Sequence, residues 1–207
     1  MISGGSPGAR GRRAVLALLA AGLCSPGAIA AEASEPDAWD VKRLMLELGQ
    51  VKSSRAKFVE RKHMAILNAP LESSGTLIYT APGKLEKHTL TPRQESLVLE
   101  GDRLTLENRE RKQRRTFALQ DQPVMWAFVE GIRSTLAGDL ATLSRFYQMT
   151  LDGSERQWRL MLKPVEPEIQ NVVSEIRMSG SRNRVSTIEI IETQGDRSVM
   201  TITPDTQ

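Results

Sequence analysis

Apolar and polar residues alternate with a period of two over most of this 207-residue chain, and this pattern limits the fold more than any other feature. The first alternating segments cover residues 55–66, 75–80, 85–91, 95–99, 103–107 and 112–117. Turn compositions separate them, at Asn68-Ala69-Pro70, Ala81-Pro82-Gly83, Thr91-Pro92 and Glu100-Gly101-Asp102. Short strands joined by such turns predict a continuous antiparallel meander.

Two segments have helical spacing instead. Val41, Leu44, Met45 and Leu48 fall at i, i+3, i+4 and i+7, which predicts an amphipathic helix ending at Gly49. Between residues 122 and 146 the apolar positions fit one or two short helices, with glycines 131 and 138 as weak points. Strand patterns then resume at 147–151, 158–163, 172–178, 185–191 and 199–203, with turns expected at Asp152-Gly153, Ser179-Gly180 and Gln194-Gly195-Asp196.

About eleven strands with one helix before them and a helical insertion predict a mainly β, α+β fold. The sheet is expected to be an antiparallel barrel or to be strongly curled, with the helices over one face. Only nine aromatic residues are present, and the inward candidates are mostly Leu, Ile, Val and Met. Such an interior can either be filled by its own side chains or hold an irregular apolar ligand, and composition leaves both open.

The first thirty residues have the pattern of a secretory signal peptide. Arg10, Arg12 and Arg13 precede the apolar run 14–23, and the small-residue site Ala28-Ile29-Ala30 follows. Cleavage there leaves a single domain at 31–207, and the expected location is the periplasm. The sole cysteine, Cys24, would be removed, so no disulfide is expected.

Charge argues against a nucleic-acid partner. Residues 1–30 contain three Arg and no acid, so the remainder holds 28 − 3 = 25 basic and 25 acidic residues. A net charge of zero lacks the electrostatic footprint that nucleic-acid binding needs.

Catalytic patterns are scarce. His63 and His88 lie in strand-like segments without a second histidine at metal-ligand spacing, and no serine lies in a nucleophile-elbow pattern. Neither a metal, a cofactor nor an enzyme activity is expected. The densest charge comes at 109–115. This segment is either a solvated hairpin or a docking patch for an acidic partner surface or anionic headgroups, formed by Arg109, Arg111, Lys112, Arg114 and Arg115.

Several strand motifs resemble the outer-membrane lipoprotein carrier family, LolA. They are Phe58-Val59-Glu60, Ser74-Gly75-Thr76-Leu77-Ile78-Tyr79, Ala81-Pro82-Gly83, Glu95-Ser96-Leu97-Val98 and Gly101-Asp102-Arg103-Leu104. The resemblance covers 37–203. It implies an unclosed antiparallel barrel with a helical lid, whose hydrophobic cavity shields acyl chains. It also implies an arginine before the proline that follows the second strand, which latches the lid; this chain has Ala81 there.

The resemblance further implies a carrier for lipoproteins between an inner-membrane ABC release complex and an outer-membrane acceptor. The departure at Ala81 leaves another acylated lipid as the alternative cargo, and a monomer is expected. The candidate cavity residues are Leu77, Tyr79, Leu97, Leu99, Leu104 and Leu106 from the sheet, and Met125, Phe128, Val129, Ile132 and Leu136 from the lid. The alternative is an interaction or sensor module of the same fold that binds a signalling protein.

Overall fold

The computed structural model describes residues 39–205, and these contain one antiparallel sheet of eleven strands. The strands are β1 (Ser53–His63), β2 (Leu71–Thr80), β3 (Lys84–Thr91), β4 (Glu95–Glu100), β5 (Arg103–Asn108), β6 (Gln113–Ala118), β7 (Tyr147–Ser154), β8 (Gln157–Pro164), β9 (Val173–Ser181), β10 (Arg184–Glu192) and β11 (Arg197–Pro204). All the predicted strands are present.

Strand order follows the sequence except at one join. The order is β6-β5-β4-β3-β2-β1-β11-β10-β9-β8-β7, so two meanders meet where β1 pairs with β11. In this join Phe58 lies opposite Ile202. The outermost strands, β6 and β7, do not pair with each other, so the sheet is unclosed. The predicted α+β fold with an unclosed curled sheet is confirmed.

The helices are α1 (Val41–Gly49), α2 (Pro123–Ala137), α3 (Leu140–Phe146) and α4 (Pro167–Gln170), with a 3-10 turn at Leu119–Asp121. Asp40 caps α1 by accepting from the Arg43 N–H at 2.7 Å, and Asp139 caps α3 by accepting from Thr142 at 3.0 Å. The short helix α4 was not among the sequence predictions. No helix among residues 39–205 is long and apolar enough to cross a membrane.

Helix α2 runs through Gly131 and ends at Gly138, which has a φ of +70°. At Gly131 an added Cβ would lie 2.9 Å from the Tyr147 ring, and at Gly138 it would lie 2.2 Å from the Met45 carbonyl oxygen. Both glycines therefore permit close packing of α2, and only Gly138 ends a helix.

The main hydrophobic core lies where α1 and α3 pack on β7–β10. Its fully buried side chains include Leu44, Trp158, Leu160, Leu162 and Ile176, each at most 1% exposed. A smaller core lies near the other end of the sheet and consists of Leu99, Leu104, Leu119 and Val129.

Two predicted turns are wrong, because Gly153 and Gly180 lie within strands β7 and β9. Each pairs with Trp158 across the neighbouring ladder. A Cβ on Gly180 would lie 2.4 Å from Trp158 Cζ2, so the glycine leaves room for the indole. The actual turns follow two or three residues later. The predicted signal peptide, Cys24 and the domain boundary at residue 31 lie outside the described residues.

Candidate functional site

An apolar cavity of about 420 Å³ lies between the helix-bearing face of the sheet and helix α2. Strands β1–β4 form one part of its wall and β10 and β11 form the other. From the helices, α2 contributes Phe128, Val129, Ile132 and Leu136, and α1 contributes Leu48. The β1–β11 join places residues from both meanders around the same space.

Eight of the eleven residues predicted from the sequence line this cavity. They are Leu77, Tyr79, Leu97, Leu99, Phe128, Val129, Ile132 and Leu136. Their contact with a lipid remains a prediction.

The other three lie elsewhere. Leu104 is 2% exposed and belongs to the smaller core, and Leu106 packs against that core. Met125 is 38% exposed near the start of α2. Leu104 and Leu106 lie on the same face of β5, but they pack in the smaller core with Leu119 and do not line the cavity.

Sequence reasoning missed the contribution of β10 and β11. Ile188, Ile190, Met200 and Ile202 line the same cavity. Their alternation was visible, but only the pairing of β1 with β11 brings them next to the first meander. Two alternating segments far apart in sequence do not reveal such a pairing.

A charged pair also lines the cavity, which the apolar pattern did not predict. Lys87 Nζ lies 2.5 Å from Glu60 Oε2, and the Lys87 ammonium lies 5.1 Å from the centre of the Phe58 ring. Glu60 also accepts hydrogen bonds from Ser198 at 2.6 Å and Ser73 at 3.3 Å. The side chains of Glu60 and Lys87 are 17% and 26% exposed.

The pKa of Glu60 reflects two opposed effects. Burial raises it, but the charge of Lys87 and the hydrogen bonds from Lys87, Ser198 and Ser73 outweigh the burial, so the pKa lies below its ordinary value. Glu60 is therefore a carboxylate at neutral pH, and Lys87 is its counter-ion.

Tyr79 supplies a second polar atom at the cavity wall. Its side chain is buried, and its hydroxyl has no hydrogen-bond partner among the described residues. Burial raises the pKa of the phenol, so it stays protonated at neutral pH.

Helix α2 is attached to the sheet by an arginine of its own. Arg133 Nη1 donates to the Gly101 carbonyl oxygen in the β4–β5 turn at 3.1 Å, and Arg133 Nη2 contacts Glu130 Oε2 at 2.5 Å. Ser134 donates to the other oxygen of Glu130 at 2.8 Å, which holds this buried carboxylate. The helix therefore contacts the turn through Arg133, whereas position 81, where the resemblance implies an arginine, has Ala81.

The predicted docking patch lies around the β5–β6 turn and edge strand β6. All five of its residues, Arg109, Arg111, Lys112, Arg114 and Arg115, are exposed. Their docking role remains a prediction. His88 bonds to Glu86 at 2.9 Å, and no group of three His, Cys, Asp or Glu residues within 39–205 could hold a metal ion.

An unclosed sheet, helices across one face and an apolar cavity between them place this protein in the class of half-barrel proteins with an apolar cavity under a helix. More particularly, the chain belongs to the outer membrane lipoprotein carrier protein LolA-like family, whose model matches residues 33–203. No curated protein shows a significant sequence match.

Several solved structures are similar in chain trace. A LolA superfamily protein from Nitrosomonas europaea has a TM-score of 0.43 and 9% identity, with 82% of this chain and 96% of that chain covered. A putative outer membrane lipoprotein-sorting protein domain from Vibrio parahaemolyticus has a TM-score of 0.46 and 10% identity, with 78% of this chain and 88% of that chain covered. A chain of the MucA/MucB complex of Pseudomonas aeruginosa has a TM-score of 0.47 and 13% identity, with 80% of this chain and 56% of that chain covered. The family assignment rests on the family model alone.

Proposed function

We infer that this protein is a periplasmic carrier that shields acyl chains of lipoproteins or other acylated lipids in the cavity under α2 during transfer toward the outer membrane. In this role it binds its cargo without covalent chemistry and has no catalytic residues. The donor would be an inner-membrane ABC release complex, and the recipient an outer-membrane acceptor. Export would follow from the N-terminal signal pattern at residues 1–30.

The observation that carries this proposal is the cavity itself. Its volume of about 420 Å³ falls within the usual range of ligand pockets, and aliphatic side chains from two meanders and α2 line it. Leu, Ile and Met side chains fit a flexible chain without requiring one rigid shape.

The free energy of exposing an acyl chain to water explains why a carrier would be needed. A palmitoyl chain has about 15 methylenes or methyl groups, and each costs about 0.8 kcal/mol to expose, so the total is about 12 kcal/mol. Free diffusion of such a chain across an aqueous compartment is therefore negligible. A carrier must recover much of this free energy and still release its cargo, which favours an adaptable pocket over a tight one.

The test is to purify the exported protein under mild conditions and to examine it by native mass spectrometry, and then to titrate the delipidated protein with a fluorescent fatty acid. We expect a bound amphiphile and saturable uptake. The variant Leu97→Trp should reduce uptake, since it places an indole in the cavity, whereas the matched variant Leu46→Trp changes an exposed residue of α1 and should leave uptake unchanged.

If repeated preparations show no bound amphiphile and no uptake of the fluorescent fatty acid, the carrier proposal is contradicted. A stoichiometric protein partner that co-purifies without lipid would favour the interaction module instead. Equal uptake by wild type and Leu97→Trp would place the binding site elsewhere.

A further inference from the structure

Lys87 occupies an unusual position on the cavity wall. In the β2–β3–β4 ladder it lies between Leu77 and Leu97, and all three residues face the cavity. A lysine at the centre of an apolar row loses hydration. This loss is unfavourable unless the ammonium group pairs with an anion and forms hydrogen bonds.

The route of the Lys87 side chain shows how the sheet accommodates it. The side chain passes over the Phe58 ring to reach Glu60 on β1. Gly75, which pairs with Phe58 on the intervening strand, contributes no side chain to this path. Phe58 is 2% exposed beneath it. The charged pair thus forms a polar spot within the aliphatic row of Leu77 and Leu97, on a wall that elsewhere also includes Arg55, Glu86 and Arg184.

The hydrogen bonds of the pair leave more donors than acceptors for a ligand. Glu60 already receives bonds from Lys87, Ser73 and Ser198. Among the described residues Lys87 has a single hydrogen-bond partner, and an ammonium group carries three N–H donors. A bound molecule would therefore meet a cation that can donate further bonds and an anion whose oxygens are occupied.

We propose that Lys87, held by Glu60, binds the oxyanion headgroup of a single-chain amphiphile whose alkyl chain fills the rest of the cavity. This inference rests on the proposed carrier function and adds to it a headgroup class, a carboxylate or a phosphate. A carboxylate or phosphate oxygen accepts short charge-assisted bonds from an ammonium group. The cavity volume, near the lower end for ligand pockets, suits one chain and not several.

The test compares three ligands that share a hexadecyl-length chain: palmitate, hexadecyl phosphate and 1-hexadecanol. Binding to the delipidated exported protein is measured below each ligand's critical micelle concentration by displacement of a fluorescent probe. We expect the anionic ligands to bind at least about tenfold more tightly than the alcohol, since a bond to a charged donor typically adds this much. Whichever anion binds more tightly identifies the headgroup source.

The variant pair isolates the role of the charges. Glu60→Gln with Lys87→Met removes both charges at nearly constant volume, so neither a buried cation nor a buried anion is left alone. We expect the preference for the anions to disappear while hexadecanol binding stays within about twofold. The matched control is Glu72→Gln with Arg61→Met. This ion pair joins β1 to β2 at 2.9 Å and its side chains are exposed, so the control variant should keep the preference.

If both variants keep the same preference, or if wild type binds all three ligands equally, Lys87 does not select the headgroup and the inference is overturned. If none of the three ligands binds, hexadecanol included, the carrier proposal itself fails. A measurement on the wild type alone is needed in case the double variant does not fold. Carbon-13 NMR titration of carboxyl-labelled palmitate should show that binding lowers the pKa of the palmitate carboxyl group, because the Lys87 ammonium favours the carboxylate. An unchanged or raised carboxyl pKa overturns the inference.

Discussion

The sheet has a packed part and an open part that use the same alternation to different ends. The packed part is formed by β7–β10 with α1 and α3, and there Trp158, Leu160, Leu162 and Ile176 are almost fully buried. The open part is formed by β1–β4 with α2, and there Leu77, Leu85 and Leu97 face the cavity and are only partly buried. Alternation shows which face of a strand turns inward, but it does not show whether that face is filled.

The difference comes from the helices. On β7–β10 the short helix α3 continues directly into β7, so Phe146 and Tyr147 enter the core, and α1 adds Leu44 and Leu48. On the other side α2 supplies four of the helix residues that line the cavity, and α1 adds only Leu48. The open part therefore depends mainly on the placement of α2.

The largest expected effect tests this contrast directly by removing the same atoms in both parts. Leu160→Ala should lower the free energy of unfolding by about 2–5 kcal/mol, because a fully buried leucine leaves a void in a tight core. Leu97→Ala should cost only about 1 kcal/mol, because its side chain already borders open space. Urea unfolding of both variants measures the two losses. Equal losses would mean that the open part is as tightly packed as the other.

The next effect adds atoms to the packed part. Gly180→Ala should destabilise the protein by about 1–3 kcal/mol, because the new methyl group would lie 2.4 Å from the Trp158 ring and 2.1 Å from the Arg184 carbonyl oxygen. Ser181→Ala, at the exposed next position of β9, serves as the control and should have little effect. Tryptophan fluorescence, to which Trp158 contributes, can follow both unfolding curves. A neutral Gly180→Ala would show that the indole has room to move.

A smaller effect concerns the attachment of α2 over the open part. Arg133→Met combined with Glu130→Gln removes the bond to the Gly101 carbonyl without leaving a buried carboxylate unpaired, so we expect a loss of only about 1 kcal/mol. Ligand exchange should also become faster, because α2 separates more readily from the β4–β5 turn. Stopped-flow displacement of a fluorescent fatty acid measures that rate, and Arg156→Met, at an exposed turn, is the control. An unchanged rate would mean that the Arg133 bond does not restrain α2.

The smallest effect is the pH dependence of the open part. Because the pKa of Glu60 is lower in the folded protein than its ordinary value of 4.5, the pair stabilises the fold above that value. This stabilisation is lost as the pH falls through the lowered pKa. Urea unfolding of wild type and Glu60→Gln at pH 7 and in acid should therefore show a difference that shrinks on acidification. A constant or growing difference would contradict the assigned shift.

The sequence predicts much of the fold because each strand carries its own signal. Alternation and turn residues locate all eleven strands, and helical spacing locates α1 and the α2–α3 region. Errors occur where glycine serves packing instead of turning, as at Gly153 and Gly180 beside Trp158. A sequence does not show whether a glycine forms a turn or makes room for a neighbouring side chain within a strand. Only the residue on the partner strand distinguishes the two cases.

The site is less accessible from sequence because it depends on contacts between distant segments. Leu77 and Leu97 could be proposed from local alternation, whereas Ile188 and Met200 required knowledge of the β1–β11 join. Lys87 occupies an inward position of the alternation, but from sequence alone a lysine is interpreted as a surface charge. Only the structure shows its contact with Glu60, which lies two strands away on β1. Long-range pairing is the information that a strand pattern lacks.

The β1–β11 join also sets the order in which the cavity can be completed during synthesis. Phe58 emerges from the ribosome long before its partner Ile202, so the first meander exists for a time with β1 as an open edge. Contacts that close so long a stretch of chain form slowly. The cavity is therefore complete only when β11 has been made and has paired with β1, since Met200 and Ile202 of β11 form part of its wall.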